Sequence, residues 1–155
     1  MIRAEAKRVI RSRYVLRCGY CSVTEQEIGA ELTYDHFKPI SAGGTDDIEN
    51  IVYACHSCNS FMGHFWREAE NECLLHPLRD DFNAHISEDQ DGILAGLSKR
   101  GTVHVERLHL NRSPLTAHRL ERKIGAQSRE ELKAFRELLN TILTRLAEFE
   151  GRPPN

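Results

Sequence analysis

No stretch of this 155-residue chain approaches the roughly 18 consecutive apolar residues needed to cross a bilayer. A helical membrane anchor is therefore not expected. The N-terminus MIRAEAKRVIRSRYVLR lacks the apolar centre of a secretory signal, so the expected location is the cytoplasm. Net charge is scarce too: 21 Lys and Arg against 23 Asp and Glu leave −2, with a pI near 6.4, so no global field draws a polyanion. Cysteine is too sparse and too uneven for a disulfide framework, since five is an odd count and a reducing cytoplasm disfavours such bonds. No internal repeat is present.

What is present suits one globular domain over residues 1–155, because apolar residues make up 40% and chains of about 100–200 residues commonly form a single core. The charges are unevenly placed. Residues 1–17 hold Arg3, Lys7, Arg8, Arg11, Arg13 and Arg17 against Glu5, residues 99–123 hold seven Lys or Arg against Glu106 and Glu121, and residues 68–91 carry eight carboxylates and only Arg79. Solvated surfaces explain this pattern as readily as a polyanion partner does.

Ile2, Ala6, Val9 and Ile10 predict a short basic helix that runs into an extended YVLRCGYC. ELTYDHF at 31–37 and IVYAC at 51–55 read as two strands joined by the turn-rich loop SAGGTDDIEN. A helix is expected after the second cysteine pair, with Phe61, Phe65 and Ala69 on one face. Residues 76–101 read as irregular with one hairpin, and Ser113 before Pro114 marks a helix start. The last helix, 128–150, is expected to open on a Ser128/Glu131 capping box. Its apolar residues Leu132, Phe135, Leu139, Ile142, Leu146 and Phe149 alternate steps of three and four, a heptad seam expected to pack on the core, with a homodimeric coiled coil as the alternative. GRPPN reads as a tail.

Cys18 and Cys21 flank Gly19-Tyr20, and Cys55 and Cys58 flank His56-Ser57. Two such knuckles supply the tetrahedral four-thiolate shell of a structural Zn²⁺, closed to substrate. A redox pair would need only one of them, in a thioredoxin-like setting that neither shows. Cys73 reads as a buried small residue.

Asp35-His36 carries little information alone, because neighbours on a strand point to opposite faces. At a strand end both can turn to one site, and Asn59 directly follows Cys58 at the start of the next helix. A carboxylate and an amide oxygen, both hard donors, then share one Mg²⁺ or Mn²⁺ beside His36.

YDHFKPISAGGTDDIEN followed by IVYACHSCNS closely resembles the HNH endonuclease family, in the order Asp-His, glycine-rich loop, Asn, Cys-x-x-Cys-Asn. The resemblance covers about residues 14–70, and HPLRDDF and LHLNR more loosely resemble the C-terminal half of small bacterial HNH proteins. It implies an α+β fold: a small ββα-metal (His-Me finger) core with a four-cysteine zinc site, flanked by helices including a long C-terminal amphipathic one, with 71–127 as an accessory region. It implies His36 as general base, Asp35 and Asn59 as catalytic-metal ligands and Asn50 as the residue that orients His36. The implied activity is metal-dependent phosphodiester hydrolysis in DNA, leaving 5′-phosphate and 3′-hydroxyl ends. Two departures stand out. Met62 occupies a position where many relatives carry a basic residue, and His64, an accessory candidate, departs from the spacing of the additional metal-binding histidine in colicin-type sites.

A single site predicts nicking. DNA contacts outside it are expected from Arg8, Arg11 and Arg13. The rival readings are a zinc-stabilised nucleic-acid- or partner-binding module without turnover, and a nuclease restricted to RNA or to structured substrates.

Overall fold

β1 (Thr33–His36) and β2 (Ile51–Ala54) pair antiparallel, with Thr33 opposite Ala54 and His36 opposite Ile51. This register comes from a computed structural model that describes residues 2–151, apart from the side chains of Glu70 and Glu150. The tail expected at GRPPN lies, from Arg152 on, outside the described residues. All four residues of β2 are buried, which explains its unbroken apolar sequence, whereas β1 buries Asp35 among half-exposed neighbours. Helix α1 (Ala4–Arg13) packs against β2 through Ile10 and Tyr14.

The stretch after α1 is not the extended run expected. Val15 and Leu16 adopt left-handed backbone with φ of 50° and 57°, and Arg17 then pairs with Thr24. The reversal closes the first knuckle: Cys18 N donates to Val23 O, Ser22 N to Cys18 O, and Gly19 N to Tyr53 O on β2. Thr24 begins the one-turn helix α2 (Glu25–Ile28) with a capping box completed by Glu27.

α3 (His56–Met62) starts on the second knuckle, with the Cys55 side chain as its N-cap. It is shorter than the sequence suggests. Gly63 turns the chain out of the helix at φ 52°, so Phe65 and Ala69 lie beyond its end. A helix α4 (Phe82–His85) leads into the hairpin β3 (Ile86–Glu88) and β4 (Leu94–Gly96), the hairpin expected in this region.

α5 (Lys99–Arg107) has no counterpart among the elements expected from the sequence; it is capped by Ser98 and buries Gly101, His104 and Val105. HPLRDDF is fastened to it. Arg100 grips both oxygens of Asp80 and the Leu74 carbonyl, Asp80 accepts from His76 N, and His104 Nδ1 accepts from Leu75 N.

The chain divides into two units, Met1–Thr116 and Ala117–Asn155. α6 runs unbroken from Ser113 to Glu150, so Ser128 is a helix-interior residue and not a cap; Pro114 sits where a missing N–H costs nothing, and no later proline interrupts. The seam residues Leu132, Phe135, Leu139, Ile142, Leu146 and Phe149 are 42–74% exposed. Among the described residues no helix is long and apolar enough to cross a membrane.

Candidate active site and metal centre

The four knuckle cysteines converge: their sulfurs all lie within 4.8 Å of one another, and Cys21 and Cys55 are 3.7 Å apart. Sulfurs about 2.3 Å from a tetrahedral ion sit roughly 3.8 Å from each other, so the cluster has the dimensions of a zinc shell. It also has outer support. Cys58 N donates to Cys55 Sγ, and Arg112 directs Nη2 at Cys58 Sγ from 3.7 Å while lying over the Phe61 ring. The crowded sulfurs shift one another's ionisation: contact with Cys18 holds the Cys55 thiol down and raises that of Cys58. Cys73 is half-buried and apart from this cluster.

A groove of about 330 Å³ opens where β1 ends. Asp35, His36, Pro39, Ile40, Ser41, Asn59, Gly63 and His64 line it, so four of the residues singled out from the sequence come together here. Asp35 and His36 thus both line this one groove at the end of the strand. Asp35 is 8% exposed, and its Oδ2 is buried with no hydrogen-bond partner among the described residues. Burial pushes this carboxyl up to about 7, partly offset by the His36 backbone amide. An orphaned carboxylate oxygen beside a groove fits a cation ligand.

Asn59 completes the hard-donor set. Thr33 donates its hydroxyl proton to Ala54 O at 2.8 Å, so it can only accept from Asn59, whose Nδ2 lies 3.0 Å away. That fixes the amide orientation and leaves Oδ1 without a partner among the described residues. A carboxylate oxygen, an amide oxygen and an imidazole suit Mg²⁺ or Mn²⁺ at Asp35 and Asn59.

Asn50 does not line the groove. It staples the loop: Oδ1 accepts from Lys38 N, and Nδ2 donates to the carbonyls of Lys38 and Thr45. Gly44 fits under this staple because a Cβ there would meet Lys38 O at 1.8 Å. The stapled loop carries Asp46, whose Oδ1 is 2.8 Å from His36 Nε2. Sequence reasoning missed Asp46. The contact with His36 holds its carboxyl below the ordinary range. A hint was available in the acidic pair of GGTDD, within loop reach of the strand end.

Arg8, Arg11 and Arg13 are not among the groove residues. Arg8 is exposed, Arg11 forms a two-pronged bridge to Glu25, which also accepts from Tyr53, and Arg13 bridges Glu49. Two of the three charges are thus already matched. His64 is exposed at the groove edge.

The comparisons with known proteins bear on this geometry. Residues 18–64 match the HNH endonuclease family. The match begins at the first cysteine of the cluster and ends on the last groove residue, and it supports a nuclease-type function. The chain is also 27% identical over 135 residues to the Septu protein PtuA of Bacillus mycoides (strain KBAB4), an alignment that takes in 68% of this chain and 19% of the relative. The chain thus spans about a fifth of the length of the curated relative it matches. No solved structure matches it.

Proposed function

We propose that the protein hydrolyses phosphodiester bonds in nucleic acid, DNA first, with His36 as general base and a divalent cation held by Asp35 and Asn59. The observation that carries this reading is the convergence of a partnerless buried carboxylate oxygen, a free amide oxygen and an imidazole on one groove. A binding module without turnover has no use for that combination.

In this reading Asp46 accepts a hydrogen bond from His36 Nε2–H, which leaves the lone pair on Nδ1. His36 Nδ1 takes a proton from a water as its oxygen attacks phosphorus, the bond to the 3′ oxygen breaks, and that oxygen is protonated from solvent. The products are a 5′-phosphate and a 3′-hydroxyl. A divalent cation held by Asp35 and Asn59 would supply Lewis-acid stabilisation of charge on the phosphate and the leaving oxygen. A zinc ion held by Cys18, Cys21, Cys55 and Cys58 would anchor the start of α3, and so the position of Asn59 one residue on. Supercoiled plasmid is the test: the parent protein nicks it with Mg²⁺ or Mn²⁺, and His36→Ala loses that activity by about 10²–10⁴-fold.

The exposed seam fits a second copy of the chain. In a parallel pair Glu131 faces Arg136 of the other copy and Leu138 faces Leu143, whereas the antiparallel arrangement centred on Leu138 sets Arg136 against itself. The dimer holds two sites and so permits double-strand breaks. Light scattering is expected to give a dimeric mass, and Leu139→Glu with Leu146→Glu a monomer that still nicks. A monomeric parent protein at micromolar concentration removes this part of the reading.

A further inference from the structure

Beyond the HNH match the chain builds a cationic edge onto the groove. Gly63 ends α3 and lines the groove, and Phe65 and Trp66, which follow His64, are half-exposed aromatics. Three cations rest on them. Arg107, from the last turn of α5, lies 5.0 Å from the Phe65 ring centre, Arg67 lies 5.1 Å from the same ring, and Lys38 Nζ is 5.2 Å from the Trp66 ring. Arg107 is the best anchored: its Nη2 donates to Met62 O at 3.1 Å and would sit 3.8 Å from a Cβ on Gly63.

Neither Arg107 nor Arg67 is bridged to a carboxylate among the described residues, in contrast to Arg11 and Arg13. Glu72, which feels Arg67 at longer range, is bonded to Lys99. Arg112 is occupied by Cys58 and the Leu108 carbonyl. The uncommitted guanidinium charge beside the groove therefore belongs to Arg107 and Arg67.

We propose that Arg107, assisted by Arg67, holds a backbone phosphate of the nucleic-acid strand adjacent to the scissile one; this rests on the nuclease reading. With one N–H on Met62 O and its face on Phe65, the Arg107 guanidinium is fixed in aim and retains N–H donors for a charge-assisted grip on phosphate oxygens. Holding it in place beforehand lowers the ordering cost of binding. Cations interleaved with half-exposed aromatic rings are the composition of strand-binding surfaces, where rings stack on bases and guanidiniums on phosphates. The edge also returns positive charge to the neighbourhood of Met62, where the sequence lacks it, from a helix about 45 residues later in the chain.

The test measures binding of a fluorescent DNA duplex in Mg²⁺ in a His36→Ala background, which prevents turnover, across a salt series. Adding Arg107→Gln and Arg67→Gln is expected to weaken binding about tenfold and to flatten the log–log salt slope by roughly 0.9, the change for one phosphate no longer neutralised. Arg107→Lys, which keeps the charge without the fork, falls between the two. Arg67→Gln alone, at an exposed side chain, gives a partial flattening even where the double variant folds poorly. Unchanged affinity and slope in a folded double variant overturn the inference while parent cleavage leaves the nuclease reading standing. A parent protein that neither binds nor cuts DNA or RNA overturns both.

Discussion

Replacing Cys58 with serine is expected to release zinc and unfold the region around the HNH segment. Cys58 is fully buried and drawn into contact with three other sulfurs, with Arg112 pressing on it. A hydroxyl there is a poor zinc ligand, and only three thiolates are left to hold the ion. Structural zinc contributes about 10–16 kcal/mol in small zinc folds, comparable with the roughly 5–15 kcal/mol of total stability of an ordinary domain. The second knuckle is also the N-cap of α3, and Gly19 ties the first to β2, so loss of the ion loosens both walls of the groove together. A chromophoric chelator assay reads the zinc, and thermal unfolding by circular dichroism reads the fold. A zinc-free Cys58→Ser protein that melts cooperatively at the parent temperature contradicts the assignment.

Asp35→Asn is expected to abolish metal-dependent cleavage and yet stabilise the protein without its catalytic metal at neutral pH. Asp35 in the folded chain is pushed up to about 7 from an ordinary 3.8, because burial penalises the charge. The folded state therefore keeps this proton over a range in which the unfolded chain has released it. The contribution to stability is fully present below about pH 4 and is lost as pH rises through about 7. A separation of about three pH units corresponds to roughly 4 kcal/mol at about 1.36 kcal/mol per unit. Asparagine removes the titration but buries an amide with imperfect partners, so the net gain above pH 7 is expected at about 1–3 kcal/mol. Denaturant unfolding of parent and variant at pH 5 and pH 8, with zinc retained, checks it. An equal pH slope in the two proteins would show that Asp35 does not carry the penalty. Destabilising a scaffold to hold a partnerless carboxylate is the pattern of a ligand site and not of a packing residue.

Much of the site is legible in the sequence because its parts are local. Cys-x-x-Cys spacing announces a shared ion, and a strand-loop-strand-helix order places Asp35, His36 and Asn59 at one end. What escapes depends on long-range contacts. The family resemblance implies that Asn50 orients His36; its amide grips the backbone of the loop whose Asp46 touches the ring, a route that the sequence does not display. Arg107 reaches the end of α3 from a helix whose own signal, Ser98 before a stretch containing Gly101, is weak. The helix after Cys58 looks longer in sequence because periodicity continues through Phe65, whereas a positive φ at Gly63 ends it. The seam of α6 shows the reverse limit, since a heptad pattern specifies an apolar face without saying what covers it.

The central claim is tested most directly by incubating supercoiled plasmid with parent protein and with His36→Ala, each zinc-loaded, in Mg²⁺, Mn²⁺ or no divalent cation. The account predicts nicked circles carrying 5′-phosphate ends from the parent with Mg²⁺ or Mn²⁺, none without added cation, and loss of that activity in a His36→Ala protein that still melts like the parent. Equal nicking by parent and His36→Ala, or nicking indifferent to the cation, would contradict it.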